Sequence, residues 1–426
     1  MPPLSAAAPF PDLVEESLDE ATFLWRRWEG ELSSLTRNIS DVWSWTEDRL
    51  HGALDGVHLG GAVGDAVMNG LLSAEPERIA ACTAVLASSE PGAVKLVTQA
   101  LAAADGGRLR AMMRGLELLG SKAALRAAAQ ALDADAPARA AALCRLAWFR
   151  RTTPGAELQA ALRSDDPDAQ ADAIRAAVLL PESTGDALVA AAQRSPVPHV
   201  RQAAIEAGLS RGLPQSLAAA REAAERHGPA AGSSLRLLAM LGGAAEHEVV
   251  YAALRVPALQ RDAIWALGHI ATPRAVEACL AGMKYGNVAR ACGESYCHIT
   301  GADLERDGLA VREVLADAPP FEEDDLDADL VPPAGDLWPL PDADAVRRDW
   351  TTRAPQFAAD VRHVRGRPGT RDAFIAAVEQ GPMLRRHDLV FELRARTRGQ
   401  YDVETRAFTS RQRQMMAAAR AAAGGG

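Results

Sequence analysis

Apolar positions recur at helical spacing in short segments of this chain, and the segments themselves recur. In residues 256–301, Pro257 opens a run in which Ala263, Ile264, Ala266 and Leu267 share one helical face, with Gly268 near its end. Thr272-Pro273 then restarts the pattern, a hydroxyl suited to capping followed by proline at the first helical position, where a missing N–H costs nothing. Val276, Cys279, Leu280 and Met283 form the apolar face of this second helix, and Asn287 is expected to cap a third. One such unit cannot bury its apolar face alone, so it requires neighbours of the same kind.

Those neighbours are legible. Turn residues that start first helices fall at Pro76, Gly107, Pro137, Pro167, Pro198, Pro229, Pro257 and Asn287, at intervals of 31, 30, 30, 31, 31, 28 and 30 residues. Second helices carry their own punctuation at Pro91, Thr153-Pro154, Pro181, Pro214 and Thr272-Pro273. Just inside the first helices stands a recurring arginine: Arg78, Arg108 or Arg110, Arg139, Arg201, Arg261 and Arg290, with Gln170 in its place once. Stacked repeats would align these side chains into a structural ladder whose guanidiniums bridge adjacent layers while their stems cover apolar surface. The alternative is a row that binds an acidic partner.

The flanks differ from this middle. Residues 1–11 are expected to be a loose tail. A helix is predicted over 12–28, with Leu18, Ala21, Trp25 and Trp28 on one face. The capping-box pattern Ser44-Trp45-Thr46-Glu47 predicts the start of a second helix. Trp25, Trp28, Trp43 and Trp45 are four of the eight tryptophans, and they crowd this opening stretch. They fit a cap over the open end of a helical stack, or a partner-docking surface. After Gly301 the composition changes: residues 317–344 hold ten carboxylates, no lysine or arginine, and several prolines. That composition predicts an extended connector, either a tether or a strip anchored along the array by Phe321, Leu326, Leu330, Val331, Leu337 and Trp338. Residues 345–426 carry sixteen arginines against eight acidic residues, with helices expected over 354–363, 371–380, 382–398 and 411–423 and fraying at Gly424–Gly426. This basic segment is expected to pair with the acidic connector or with the acidic array.

Composition narrows the class. Hydrophobic residues make up 48 % and aromatics 5 %, which suits thin layers of closely packed helices. A net charge of −10 and a pI near 5.5 disfavour a general nucleic-acid binder. Cys82, Cys144, Cys279, Cys292 and Cys297 are odd in number and mostly embedded in apolar faces, as reduced thiols of a cytoplasmic protein would be. No signal peptide and no membrane span is expected.

RQAAIEAGL at Arg201–Leu209 and RDAIWALGHIATPRAVEACLAGM at Arg261–Met283 resemble the short HEAT repeats also found in phycobilin-lyase-like proteins. The resemblance covers residues 58–301. LDGVHLGG at Leu54–Gly61, GESYCHITG at Gly293–Gly301, the acidic break and YDVETRAFTSRQRQ at Tyr401–Gln414 are together similar to a proteobacterial HEAT-repeat family whose members are often encoded beside type VI secretion components. The resemblance implies that context and brings no catalytic residues with it.

Candidate chemistry is sparse. Cys292, Cys297 and His298 lie close in sequence, but positions five apart on a helix are separated by roughly 140°, so the two cysteines cannot chelate one ion. Glu294 and His298 share a face, too few ligands for a closed zinc site, and are expected to be a surface pair. His247-Glu248 is similar to the His-Glu pairs of deoxyhypusine hydroxylase, a HEAT-repeat di-iron enzyme that needs several facing pairs, whereas this chain has one. The glycines at 60, 61 and 64 are too few and out of strand context for a phosphate loop. The expectation is an all-α solenoid of seven to eight HEAT-like hairpins (58–301), with a tryptophan-rich cap (1–57), an acidic linker (302–344) and a basic helical segment (345–426). Its expected role is a non-enzymatic adaptor for protein partners, without cofactor or metal. The alternative is a lyase-like or glycosylase-like enzyme, or a small-molecule or nucleic-acid binder.

Overall fold

The computed structural model of the chain describes residues 11–61, 64–132, 136–311 and 338–423. Residues 1–10 of the predicted tail, most of the acidic connector with its Phe321, Leu326, Leu330, Val331 and Leu337 anchors, and the final three glycines lie outside these residues, while Pro11, the last residue of the predicted tail, opens the first helix. The fold is all-α, and the chain divides into two compact units: up to Ser216 together with Val378 onward, and Leu217–Ala377.

In the first unit, α1 (Pro11–Glu31) buries Leu18, Ala21, Trp25 and Trp28, the face read from sequence. Then come α2 (Ile39–Val42), a π-helical turn (Trp43–Glu47), α3 (Asp48–Gly61) and α4 (Asp65–Gly70). The recurring pairs follow as α5 (Pro76–Ser88) and α6 (Pro91–Ala102), α7 (Gly106–Leu119) and α8 (Lys122–Ala131), and α9 (Pro137–Arg150) and α10 (Glu157–Leu162). After them stand α11 (Pro167–Ala177), α12 (Glu182–Ala192) and α13 (Pro198–Arg211). Prolines occupy the first turns of α5, α6, α9, α11 and α13, as their fixed φ and missing N–H favour. First helices pack in succession, α5 on α7, α7 on α9, α9 on α11 and α11 on α13. Small residues bring them close: a methyl group at Gly115 of α7 would strike the Ala80 carbonyl of α5.

α14 (Gln215–Glu225) spans the division. In the second unit, α15 (Ala231–Leu241) and α16 (Ala244–Ala253), then α17 (Gln260–Ile270) and α18 (Pro273–Gly282), repeat the pattern, and α19 (Gly286–Thr300) closes it. Most first helices end at the period seen at their starts, with C-caps at Gly120, Arg151, Gly212, Gly242, Ala271 and Gly301, while α11 ends early at Val178. Two expected caps are corrected. Thr272 is the N-cap of α18 but its side chain makes no capping bond, and Asn287 lies within α19, whose N-cap is Tyr285.

Beyond Gly301 the chain is not a simple spacer. Val311 N donates to Leu340 O and Asp342 N to Leu309 O, each at 2.8 Å, so the chain re-enters beside the point where it left. The helix expected over 354–363 is corrected: α20 (Ala343–Arg353) ends before it, a short 3-10 turn covers Ala354–Gln356, and a hairpin of β1 (His363–Val364) and β2 (Arg367–Pro368) follows. Its turn residues Arg365 and Gly366 both have positive φ, the geometry of a tight two-residue turn. The hairpin donates His363 N to Ala271 O, Arg365 N to His298 O and Gly366 N to Ile299 O, each at 2.8 Å. Those carbonyls end α17 and α19 and have no partner within their helices. α21 (Arg371–Gln380) leads back to the first unit, where α22 (Arg386–Arg396) packs on α13 and α23 (Thr409–Ala423) on α2.

Candidate interaction site

The first unit joins the two flanks of the chain at the turn Trp43–Glu47. Asn38, not Ser44, caps the helix that leads into it: Asn38 Oδ1 accepts from Ser40 N (2.8 Å) and Asp41 N (3.2 Å), and Asp41 Oδ2 accepts from Asn38 N (2.9 Å). The Ser-x-x-Glu pattern therefore sits in chain that is already helical. Ser44 Oγ donates back to Ser40 O at 3.0 Å, and Glu47 points into the core instead of towards a helix start. The π-turn holds one extra residue, sending Thr46 and Glu47 inward, both fully buried, while Trp45 stays 60 % exposed.

Glu47 is the polar centre. Its carboxylate accepts Trp28 Nε1 at 2.9 Å, Thr409 N at 2.8 and 2.9 Å, and Thr409 Oγ1 at 2.8 Å. Burial raises its pKa above the ordinary range, and the Thr409 and Trp28 donors oppose that rise. Rings enclose it: Phe408 lies 4.8 Å from Trp28, 6.3 Å from Trp25 and 4.6 Å from His51. Trp25 and Trp28 are thus core residues, not a docking surface, and Trp43 is half-buried at 6.0 Å from His51. Of the four tryptophans, Trp45 alone faces outward, with the Arg37 guanidinium 5.1 Å from its ring centre. Arg37 is tied to Glu31 at 3.5 Å, so the cation is held beside the ring.

The C-terminal segment from Val378 onward is held in the first unit with the charges reversed from those expected, its carboxylates meeting an arginine of the helical pairs. Arg151 donates to both Asp402 oxygens at 2.7 and 2.9 Å and reaches Glu404 at 3.1 Å. Trp148 is contacted by two guanidiniums, Arg151 at 4.5 Å and Arg394 at 4.2 Å. Arg114 donates to Glu29 at 2.7 and 3.3 Å, to Glu117 at 3.1 Å and to Arg406 O at 2.8 Å.

The arginine ladder dissolves into separate contacts. Arg78 pairs with Glu15 and Asp19 of α1. Arg139 donates to Ala102 O (2.6 Å) and Arg201 to Ser195 O (2.7 Å). Gln170 makes the same bond as Arg201, to the carbonyl six residues earlier, Ser164 O at 2.6 Å, so the substitution keeps the contact without the charge. Arg110 is exposed. In the second unit Arg290 donates to Trp338 O, while Arg261 lies 5.9 Å over the Trp338 ring, which is 6.0 Å from Trp265. These two hold the returning chain rather than a neighbouring layer. Among the ladder residues Arg139 thus reaches an earlier helical pair, and further bonds between pairs come from outside the ladder: Arg150 to Leu116 O (2.7 Å) and Gly120 O (2.9 Å), and Arg211 to Val178 O (2.8 Å) and Leu180 O (3.2 Å). Both stand at the ends of first helices, where orphan carbonyls need donors.

The remaining candidates do not converge. Burial pushes the Cys82, Cys144 and Cys292 thiols up to about 12 and Cys297 further the same way, which removes them as thiolate nucleophiles or ligands near neutrality. Glu294 and His298 are buried, at 5 % and 6 % exposure, correcting their assignment to the surface. Glu248 pairs with Arg274, and burial lowers the pKa of His247. Among the described residues no group of three or more His, Cys, Asp or Glu is arranged to hold a metal ion, and no helix is long and apolar enough to cross a membrane.

No family model matches the chain, and no curated protein matches it. Among solved structures the chain is similar to one described as an engineered protein from a structural genomics consortium, at 16 % identity and a TM-score of 0.26, covering 67 % of this chain and 88 % of that one.

Proposed function

We propose that the chain is an α-solenoid of HEAT-like repeats that acts as a non-enzymatic adaptor, docking a protein partner through the surface around Trp45. The observation that carries this reading is the side chain itself: a tryptophan 60 % exposed on a turn whose neighbours Thr46 and Glu47 are locked in the core, with Arg37 fixed beside its ring. Tryptophan and arginine dominate the energetics of protein interfaces, and a pre-ordered anchor loses little entropy on binding. The successive packing of first helices and the common period of their starts and ends support the repeat reading. A role in type VI secretion, in the cytoplasm, rests on the sequence resemblance alone.

The test is purification of the tagged full chain from its native host, with metal analysis and absorption spectroscopy beside mass spectrometry of co-eluting proteins. The adaptor reading expects a protein at near-stoichiometric yield that disappears with Trp45→Ala. Stoichiometric iron or a bound chromophore, with no such protein, would overturn it in favour of a HEAT-repeat enzyme.

A further inference from the structure

We propose that the surface around Trp45 is assembled from both flanks of the chain, so that docking of the C-terminal helix α23 sets the conformation in which Trp45 is presented. This rests on the reading of Trp45 as the docking residue and concerns what controls it.

Three contacts carry the coupling. Thr409 supplies both its backbone N–H and its hydroxyl to Glu47, at 2.8–2.9 Å. Phe408 fills the space between Trp28 and His51, the residue one turn beyond Glu47. Arg413 Nη2 reaches Ser40 Oγ at 3.4 Å, one turn before Ser44. The Trp43–Glu47 turn is therefore fastened by residues 408–413 on its inner side and before its start.

Removing α23 leaves a buried carboxylate with the Trp28 N–H as its remaining hydrogen-bond donor, since His51 Nε2 is 3.9 Å away. A buried, under-bonded carboxylate is costly, and the nearest escape is rotation of the turn towards water. The turn also carries one residue more than an α-helix needs. Its conversion to regular helix would swing the preceding residues by roughly 100° about the axis and carry Trp45 off the Arg37 side. Retention of the π-turn thus depends on Glu47 being held, and Thr409 holds it. By linkage, a partner seated on Trp45 and the docked α23 stabilise one another.

Amide hydrogen exchange on the full chain tests this without any partner. In Thr409→Val, which keeps the shape and removes the hydroxyl donor, exchange across residues 39–51 is expected to accelerate about tenfold or more, while α11 (Pro167–Ala177) keeps its protection. Faster exchange confined to residues 405–413, with 39–51 within about twofold of wild type, would overturn the coupling. Should Thr409→Val also unprotect α11, the same comparison is read on Phe408→Leu. Trp45→Ala separates the two claims. If it abolishes partner capture while exchange in Thr409→Val is unchanged, the coupling fails and the adaptor reading stands. If exchange responds but capture ignores Trp45, the adaptor reading fails and the coupling stands.

Discussion

Two tryptophans seventeen positions apart have opposite fates in this chain. Trp28 is fully buried with its indole N–H on Glu47, whereas Trp45 is 60 % exposed. Trp28→Ala should therefore cost ~3–5 kcal/mol by loss of packing, and more if Glu47 is left without that donor, while Trp45→Ala should stay within about 0.5 kcal/mol. Urea denaturation of both variants checks the contrast. His387 offers a second residue-scale test. Burial, with Arg406 adding to it, holds its pKa down to about 4, and Thr405 Oγ1 contacts its Nδ1. Because the folded value lies below the ordinary one, the stability gained by keeping the ring neutral is fully present above ~6.5. It is lost as pH falls towards about 4. Melting temperatures measured from pH 7 to pH 4 should fall less steeply in His387→Gln than in wild type. An identical slope would remove His387 from the acid response.

At the scale of elements, the helix pattern was largely legible and the ties between helices were not. Proline and glycine mark helix starts through backbone constraints that act locally, so Pro76, Pro137, Pro167 and Pro198 stand at observed starts. The ladder position was legible as a period but not as a role. An arginine's partner depends on which carbonyl lies within reach in space, and Gln170 shows that charge was not the feature being kept. Arg150 and Arg211 carried no signal beyond standing at the ends of helices. Arg211→Met should cost ~1–3 kcal/mol by stranding the Val178 and Leu180 carbonyls, whereas Arg110→Ala should be nearly silent. Thermal denaturation of the two variants in parallel separates a tie from a surface charge. Glu47 differs for a related reason: Ser-x-x-Glu has the same appearance at a helix start and inside a helix, and the partners of the inward carboxylate, Trp28 and Thr409, lie 19 and 362 residues away.

For the whole molecule, sequence conveyed the all-α class and the period, because both follow from local spacing. The basic C-terminal segment was expected to meet an acidic surface, and in the first unit the charges run the other way, with its carboxylates on an arginine of the helical pairs. Arg151 of α9 holds Asp402 and Glu404 of that segment, Arg114 of α7 donates to its Arg406 carbonyl, and Thr409 donates to Glu47. The acidic stretch was expected to be a connector, yet the backbone bonds joining Leu309 and Val311 to Leu340 and Asp342 bring its flanks together. Composition predicts how a stretch behaves in solvent and is silent about where its flanks meet. The site around Trp45 was half legible: the tryptophan cluster pointed to the region, but which rings face outward depends on a π-turn that no local pattern announces.

Trp45 is proposed to anchor a protein partner. The most direct measurement is isothermal titration of the co-purified partner into wild type and Trp45→Ala, at matched melting temperature. Binding to the variant should be at least about thirtyfold weaker, the loss expected of an interface hot spot. Equal affinity in the two proteins would contradict it.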